Sequence, residues 1–379
     1  MADDQPKNWF DRLPPLVRHL LSSAAVSLTT ILIVWVSGKL GVQPPPVPPP
    51  PAFDPASVSQ GWVRDDDQVA ALVAALPEGE KRFADTPAGR AALGPDDDVY
   101  LWDAARSVTG DVLPTRDQGQ VGSCVAFGTA AAVEHLLAVQ IARDRKDGRR
   151  AGEFKELAQE VIYGGSRVEV GGGRLRGDGS VGAWAARWVK EWGVIARGVH
   201  GRHDLTRYDE SRCRQYGARG VPDELEPLAR ESPVKAVSQV RTAAEAVQAL
   251  RQGYPLIVCS DQGFDMTRGA DGFARPSGTW MHCMAILGYT AGPRTGFWIQ
   301  NSWGPTAHRG PVGVGSPPAG GFWADAAVVG RMLAQGDSWA FGDAAGFPAK
   351  APLPVDWFVN ARPDPRKKFA FDTPFALAP

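Results

Sequence analysis

The sequence has few cysteines and almost no net charge. Its 379 residues include four cysteines, and no two of them form a Cys-x-x-Cys pair. This usage excludes a disulfide scaffold and argues against structural zinc. Lys plus Arg number 41 against 42 Asp plus Glu. The chain therefore lacks the basic excess of a nucleic-acid-binding protein, and we expect no nucleic-acid partner, no metal and no other cofactor.

The sequence also lacks the biased amino-acid composition of collagen-like or disordered chains. Hydrophobic residues make up 44% and charged residues 22%, which is ordinary for a globular protein with a sizeable core. The length allows one large domain with appendages or two modest domains.

A run without charge near the N-terminus predicts a membrane helix. Residues 20–38 contain no Asp, Glu, Lys or Arg, and their number is about what a bilayer requires. Lys7, Arg12 and Arg18 precede the run, whereas Lys39 is the only basic residue soon after it. The positive-inside rule then makes residues 1–19 a cytoplasmic tail and places the following chain outside the cytoplasm, on a single-pass anchor in the cell membrane. A cleaved signal peptide is the alternative.

Proline dominates the next stretch. Residues 44–51 read Pro-Pro-Pro-Val-Pro-Pro-Pro-Pro, and such a run favours an extended polyproline spacer. We therefore assign residues 39–60 to a linker. Residues 61–99 form a separate short segment with one predicted helix, and residues 346–379 an irregular C-terminal extension.

Residues 100–345 are predicted to form one compact α+β unit, because helical patterns come first and strand patterns later. A Thr-x-x-Glu capping box at Thr242 and Glu245 opens one helix, and Gly253 ends it. The other predicted helices cover residues 124–143, 153–163 and 180–192, and the predicted strands cover residues 255–260, 282–289, 296–301 and 321–323.

A cysteine begins the first of these helices. Residues 117–127 read Asp-Gln-Gly-Gln-Val-Gly-Ser-Cys-Val-Ala-Phe, so a glycine-containing loop leads directly into Cys124. The positive end of a helix dipole favours a thiolate and lowers the thiol pKa. A cysteine considered alone is more often an inert buried side chain. That interpretation suits Cys259, and the sequence leaves Cys213 undecided.

A histidine and an asparagine follow in two later segments. His282 begins an apolar strand, where a histidine alone would usually be a core residue. Asn301 ends the next strand, and Trp303 beside it is large enough to exclude water. A Cys, a His and an Asn together supply a nucleophile, a base and an amide that orients the base.

Together these segments resemble the papain family of cysteine peptidases over roughly residues 100–345. Four motifs occur in the family's order. The matching stretches are Gln118-Gly119, Gly122-Ser123-Cys124-Val125-Ala126-Phe127, the strand from His282 to Gly288-Tyr289, and Asn301-Ser302-Trp303-Gly304.

The resemblance implies a two-lobed fold, with the cysteine in a helical lobe and the histidine and asparagine in a β-rich lobe. It makes Cys124 the nucleophile, His282 the general base and Asn301 its orienting partner, with a thiolate–imidazolium pair formed before substrate binds. The Gln118 amide and the Cys124 backbone N–H would form the oxyanion hole. Loss of one such donor typically lowers the rate about a hundredfold to a thousandfold.

The resemblance also assigns residues around the triad. Trp303 would shield the His282–Asn301 bond, and Gly179 and Ser180 would line the substrate cleft, where Ser180 replaces a glycine and narrows one subsite. Cys283 should point to the opposite face from His282 and serve as a packing residue.

The chain departs from the family at several positions. Val121 stands where a disulfide-forming cysteine is usual, and Val125 replaces a common tryptophan. The family's long helical propeptide is not evident in residues 56–100, so a zymogen stage stays open.

The sequence as a whole predicts a membrane-anchored, bacterial, papain-like cysteine peptidase that acts on protein or peptide substrates. Two alternatives remain: an amidase or transpeptidase acting on cell-wall peptides, and a catalytically inactive binding or scaffold domain.

Overall fold

The structure is a computed structural model that describes residues 61–92 and 98–351. The predicted membrane helix, the proline-rich linker and most of the predicted C-terminal extension lie outside the described residues.

The described helices are mostly short. Cys124–Lys146 is the longest of them. In chain order they are α1 (Asp66–Ala75), α2 (Pro87–Arg90), α3 (Trp102–Thr109), α4 (Cys124–Lys146), α5 (Gln159–Gly165), α6 (Gly182–Glu191), α7 (Glu210–Arg219), α8 (Glu226–Ala229), α9 (Ala243–Arg251) and α10 (Ala326–Ala334).

The described strands form a seven-stranded antiparallel sheet and a small hairpin. The sheet order is β4-β9-β5-β6-β7-β8, and β1 pairs with β6. The strands are β1 (Val99–Tyr100), β2 (Val199–His200), β3 (His203–Asp204), β4 (Ala236–Gln239), β5 (Leu256–Phe264), β6 (Pro276–Thr290), β7 (Gly296–Gln300), β8 (Phe322–Asp325) and β9 (Ser338–Gly342).

Helix α4 is the central helix of the core. Within the described part of the chain it is the one helix long and apolar enough to cross a membrane, but 89% of its most apolar window is buried inside the protein, as in the core helix of a globular domain. Its first turns lie against β6: a Cβ added to Gly128 would be 3.3 Å from the carbonyl oxygen of Cys283. This contact brings the start of α4 to the middle of the sheet.

Residues 61–92 pack into the same core. Trp62, Leu72 and Phe83 are buried, and Phe83 contacts the ring of Phe347 edge-on at a centroid distance of 5.4 Å. The segment before the predicted compact unit and the first residues after it thus meet in the interior.

Several predicted elements differ in extent. The helix predicted over residues 153–163 begins only at Gln159, because the preceding chain is extended and the N–H of Leu157 donates to the buried carboxylate of Glu134 at 2.7 Å. The capping box is present as predicted, with Thr242 and Glu245 each accepting from the other's backbone N–H. Strands β4 and β9 were not predicted from the sequence.

Cys259 and Cys283 form a disulfide between β5 and β6. They are directly opposite each other in the antiparallel register. Both side chains are buried, in keeping with the interpretation of Cys259 as a buried side chain and of Cys283 as a packing residue. The link between them was not predicted, because the strand pairing that brings the two together is not visible in the sequence spacing. Cys213 is a free, buried thiol.

Candidate active site

Cys124 lies at the first position of α4, as predicted, and has no exposed surface. Its sulfur lies next to the backbone amides of Cys283 and Gly61, which act to lower the thiol pKa. Cys283 directly follows His282 on β6. The structure therefore brings the head of the helix to the strand that bears the histidine.

His282 and Asn301 form the predicted hydrogen bond. The His282 Nε2–H donates to Asn301 Oδ1 at 2.8 Å, which leaves Nδ1 as the unprotonated nitrogen of a neutral ring. Nδ1 is buried and has no hydrogen-bond partner among the described residues. The nitrogen that a general base would use is thus the one not bound to Asn301.

Trp303 covers this pair. Its ring stacks on the His282 ring at a centroid distance of 4.5 Å and an interplanar angle of 27°. Trp280 meets Trp303 edge-on at 4.9 Å. Two indoles therefore keep water from the imidazole side of the site, which strengthens the hydrogen bond to Asn301.

Gln118 joins the loop before Cys124 to the loop that follows β7. Its Nε2 donates to Val121 O at 2.9 Å, and its Oε1 accepts from Ser302 Oγ at 2.6 Å. The backbone N–H of Gln118 also donates to Ser302 O at 2.9 Å. These bonds hold the buried amide in one orientation beside the start of α4.

His308 is a functional candidate that the sequence analysis missed. Asn301 Nδ2 donates to His308 Nε2 at 3.1 Å, so this second histidine holds the far end of the same amide. It lies seven residues after Asn301 in an irregular loop, and no motif or periodicity marks it.

Residues 61–63, here called the cover segment, lie across the site. The N–H groups of Gly61 and Trp62 donate to Met281 O at 3.1 and 2.9 Å, and Val63 N–H donates to Ser180 O at 2.9 Å. On the other side, a Cβ added to Gly61 would lie 2.0 Å from Gly122 O. The cover segment thus fills the space between the cysteine loop and the histidine strand.

Gly179 and Ser180 lie beside the cover segment through their backbone. Ser180 N–H donates to Gly61 O at 2.8 Å, and a Cβ on Gly179 would lie 2.9 Å from Val63 Cγ2. The Ser180 hydroxyl is paired instead with Ser166 Oγ at 2.9 Å. The hydroxyl is therefore engaged within the protein, and the narrowing of a subsite by Ser180 stays a prediction.

Burial controls the protonation of the Cys-His pair. It raises the pKa of Cys124 to about 12, despite the nearby backbone N–H groups. It lowers the pKa of His282 to about 4, despite the bond to Asn301. The sequence predicted a lowered thiol pKa from the helix dipole, but desolvation by burial outweighs that effect. In this closed form the pair is a neutral thiol and a neutral imidazole.

The described residues include no group of three or more His, Cys, Asp or Glu side chains placed to hold a metal ion. The polar groups around Cys124 are instead those of acyl transfer: a sulfur, an imidazole, and amides that can donate hydrogen bonds.

No protein-family model matches the sequence, and no curated protein matches it. Among solved structures the chain is similar to xylellain, a cysteine protease from Xylella fastidiosa. The two share 18% identity with a TM-score of 0.50 over 76% of this chain and 96% of that chain. The procathepsin L2 proteinase of Tenebrio molitor larval midgut has 14% identity and a TM-score of 0.45, covering 84% and 90% of the two chains. The likeness to xylellain confirms the predicted papain-like fold.

Proposed function

We propose that the protein is a cysteine peptidase that hydrolyses peptide bonds through Cys124, His282 and Asn301. One observation carries the proposal: His282 donates through Nε2 to Asn301 at 2.8 Å, and its strand places the next residue's amide against the sulfur at the head of α4. A nucleophile, a base and an orienting amide in this order match the requirements of thiol acyl transfer.

In the proposed reaction, His282 Nδ1 takes the proton of the Cys124 thiol as the sulfur attacks the substrate carbonyl carbon. The Gln118 amide and the Cys124 backbone N–H hold the resulting oxyanion. The C–N bond breaks when His282 returns the proton to the amine, which leaves a thioester. Water then attacks the thioester, gives a proton to His282, and releases the carboxylic acid as the thiol reforms.

The test is profiling of the full chain against a peptide library beside a Cys124→Ala variant. We expect cleavage by the parent and none by the variant, together with labelling of the parent at Cys124 by an epoxide inhibitor of papain-like enzymes. Equal cleavage by both proteins would exclude Cys124 as the nucleophile.

Two other results would favour a different function for the protein. Absence of labelling after the cover segment has been displaced would favour a binding or scaffold domain. Release of cell-wall fragments without cleavage of peptides would favour the amidase or transpeptidase.

We also propose that the domain acts outside the cytoplasm on an anchor formed by residues 20–38. The basic residues before that run support this orientation, and the Cys259–Cys283 disulfide supports an oxidising compartment. Fractionation of cells that produce the full chain, with protease added to intact spheroplasts, tests both points. Recovery of the protein in the cytosol would refute them.

A further inference from the structure

The peptide group between Gln118 and Gly119 lies at a turn of the loop that leads to Cys124. Gly119 has a φ of 60°, which is in the left-handed region, and glycine adopts the opposite sign of φ about as readily. The peptide group before such a residue can therefore flip unless both of its ends are held. A flip would move the backbone from which the Gln118 amide extends.

Both ends of this peptide group are held by hydrogen bonds. The Gly119 N–H donates to Asp117 Oδ1 at 2.9 Å, and the Gln118 carbonyl oxygen accepts from the Tyr208 hydroxyl at 3.0 Å. The first bond joins residues two apart in the same exposed turn, whereas the second joins residues 90 apart in the chain. Tyr208 is thus the residue that ties the orientation of this peptide group to a distant segment.

Tyr208 is itself fixed in position. Its ring meets the Phe127 ring of α4 edge-on at a centroid distance of 4.9 Å. The next residue, Asp209, donates through its N–H to the fully buried carboxylate of Glu160 at 3.3 Å. Asp209 Oδ1 also accepts from the Arg212 N–H at 2.7 Å, which caps the start of α7. The hydroxyl therefore reaches the loop from a well-anchored segment.

The Tyr208 hydroxyl remains a hydrogen-bond donor at neutral pH. Burial is the main cause that raises its pKa, so the group stays protonated and can donate to a carbonyl oxygen. The side chains of Ser123 and Cys213 lie next to the same hydroxyl. Since Ser123 directly precedes Cys124, the hydroxyl lies close to the proposed nucleophile as well as to Gln118.

Other bonds hold the residues that follow the turn. Arg214 Nη2 of α7 donates to the Gln120 carbonyl oxygen, and the Gly122 N–H donates to Asp178 Oδ2 at 3.0 Å. Loss of the Tyr208 hydroxyl would therefore leave the loop attached to its surroundings and would free mainly the peptide group after Gln118.

We propose that Tyr208 is a positioning residue for the oxyanion hole: its hydroxyl fixes the Gln118–Gly119 peptide group and thereby aims the Gln118 amide at the oxyanion. This inference rests on the proposed peptidase function and adds a residue to the same site. Tyr208 acts on the rate through Gln118 and not through contact with the substrate.

The first experiment compares the full chain with Tyr208→Phe, which keeps the ring and removes the hydroxyl. We expect kcat for a peptide substrate to fall roughly fivefold to tenfold with little change in KM, because the weakened interaction is made in the transition state and not in the bound substrate. Alkylation of Cys124 by iodoacetamide should keep the parent rate, since displacement of iodide forms no oxyanion.

Tyr216→Phe is the matched control, because it removes a tyrosine hydroxyl from α7 at a different place. Tyr216 packs against Gly164, where an added Cβ would lie 2.9 Å from Tyr216 Cβ. This variant should leave both kcat and the alkylation rate unchanged.

A double-mutant cycle tests whether Tyr208 acts through Gln118. Gln118→Ala keeps the backbone carbonyl that accepts from Tyr208 but removes the side-chain amide. In that background Tyr208→Phe should cause no further fall in kcat, although it should still lower the free energy of unfolding as it does in the parent. A tyrosine with a merely structural role would lower kcat by the same factor in both backgrounds.

Hydrogen exchange gives a measurement that does not depend on catalysis. In a Cys124→Ala background, the Gly119 amide should exchange at least about fivefold faster in Tyr208→Phe, because the freed peptide group can turn away from Asp117.

The outcomes separate this inference from the proposed function. Cleavage with equal kcat in the parent and Tyr208→Phe, equal exchange of the Gly119 amide, or the same loss of kcat in the Gln118→Ala background would each overturn the role of Tyr208 while leaving the peptidase intact. Absence of both cleavage and Cys124 labelling in the parent, with faster exchange in Tyr208→Phe, would overturn the peptidase while leaving the fixed peptide group intact.

Discussion

At the scale of single residues, both ends of the Asn301 amide are bound to histidines. Oδ1 accepts from His282 Nε2 at 2.8 Å, and Nδ2 donates to His308 Nε2 at 3.1 Å. Because Nδ2 can only donate, His308 must be neutral with its proton on Nδ1. Burial supports this state by lowering the pKa of His308 to about 3. His308 is thus a positioning residue for the amide that orients the base.

We predict that His308→Ala lowers kcat/KM by roughly tenfold, because Asn301 loses a buried hydrogen-bond acceptor worth about 1 kcal/mol or more. The acidic limb of the pH–rate profile should also shift, since a mobile Asn301 supports the imidazolium less well. Steady-state kinetics across pH measures both effects.

His308→Gln is the matched control, because its side-chain oxygen can accept from the same Nδ2. It should recover most of the activity and the parent pH profile. An alanine variant with lower activity but an unshifted profile would mean that His308 is only a packing residue.

At the scale of elements, the cover segment depends on a close approach of two backbones. A Cβ at residue 61 would lie 2.0 Å from Gly122 O, a distance that real Cβ atoms do not show. Glycine is therefore required at this position for the segment to lie in the cleft.

We predict that Gly61→Ala displaces the cover segment and increases the rate at which iodoacetamide labels Cys124 at pH 7 by at least about tenfold. The expected cause is that exposure removes the desolvation that raises the thiol pKa, so the thiolate fraction increases. Mass spectrometry of the alkylated peptide measures the rate.

Gly79→Ala is the control for this variant, because a Cβ there meets nothing within 4 Å. It should label at the parent rate. Equal labelling of the two variants would show that the cover segment does not restrict access to the sulfur.

The sheet is also stabilised by a covalent link between two of its strands. The Cys259–Cys283 disulfide links adjacent strands across 24 residues. We expect the double variant Cys259→Ser, Cys283→Ser to lower the free energy of unfolding by about 3 kcal/mol, because the unfolded chain regains the entropy of that loop. Urea denaturation without reductant measures it. Cys213→Ser serves as a control for loss of a buried thiol, and a double variant as stable as the parent would contradict the prediction.

At the scale of the whole molecule, buried histidines link stability to pH. Burial lowers the pKa of His135 to about 4, whereas an unfolded histidine titrates near 6.5. Between these values the unfolded chain binds more protons, so this contribution to stability is present above pH 6.5 and is lost as the pH falls towards 4.

We predict that His135→Gln loses less unfolding free energy than the parent between pH 7 and pH 4.5, because residue 135 no longer binds a proton on unfolding. Urea denaturation at the two pH values gives the two differences. Their comparison cancels the contributions of other groups, such as Asp103, whose pKa burial raises to about 6. Identical differences would show that His135 does not contribute.

The predictable and unpredictable parts of the molecule differ in the range of their contacts. Local signals located the start of α4 at Cys124, the capping box of α9 and the end of β7 next to Asn301. The prediction that His282 begins a strand was wrong, because β6 starts six residues earlier, at Pro276, where it pairs with β5. The disulfide, the contact between His308 and Asn301, and the hydrogen bond from Trp62 to Asp337 depend on pairings between distant segments. Trp62 and Asp337 are 275 residues apart, and no local pattern in the sequence indicates that they meet.

The cover segment competes with peptides for the cleft, and its attachment to α1 sets the strength of this competition. Gln68 of α1 accepts from Trp184 Nε1 of α6 at 3.1 Å, so the segment is tethered within a few residues of its own binding site. A short tether gives an effective concentration on the order of millimolar, which dilution of the protein does not change. A peptide that binds weakly would therefore have to be abundant to enter, and cutting the chain near Arg64 would remove that competition permanently.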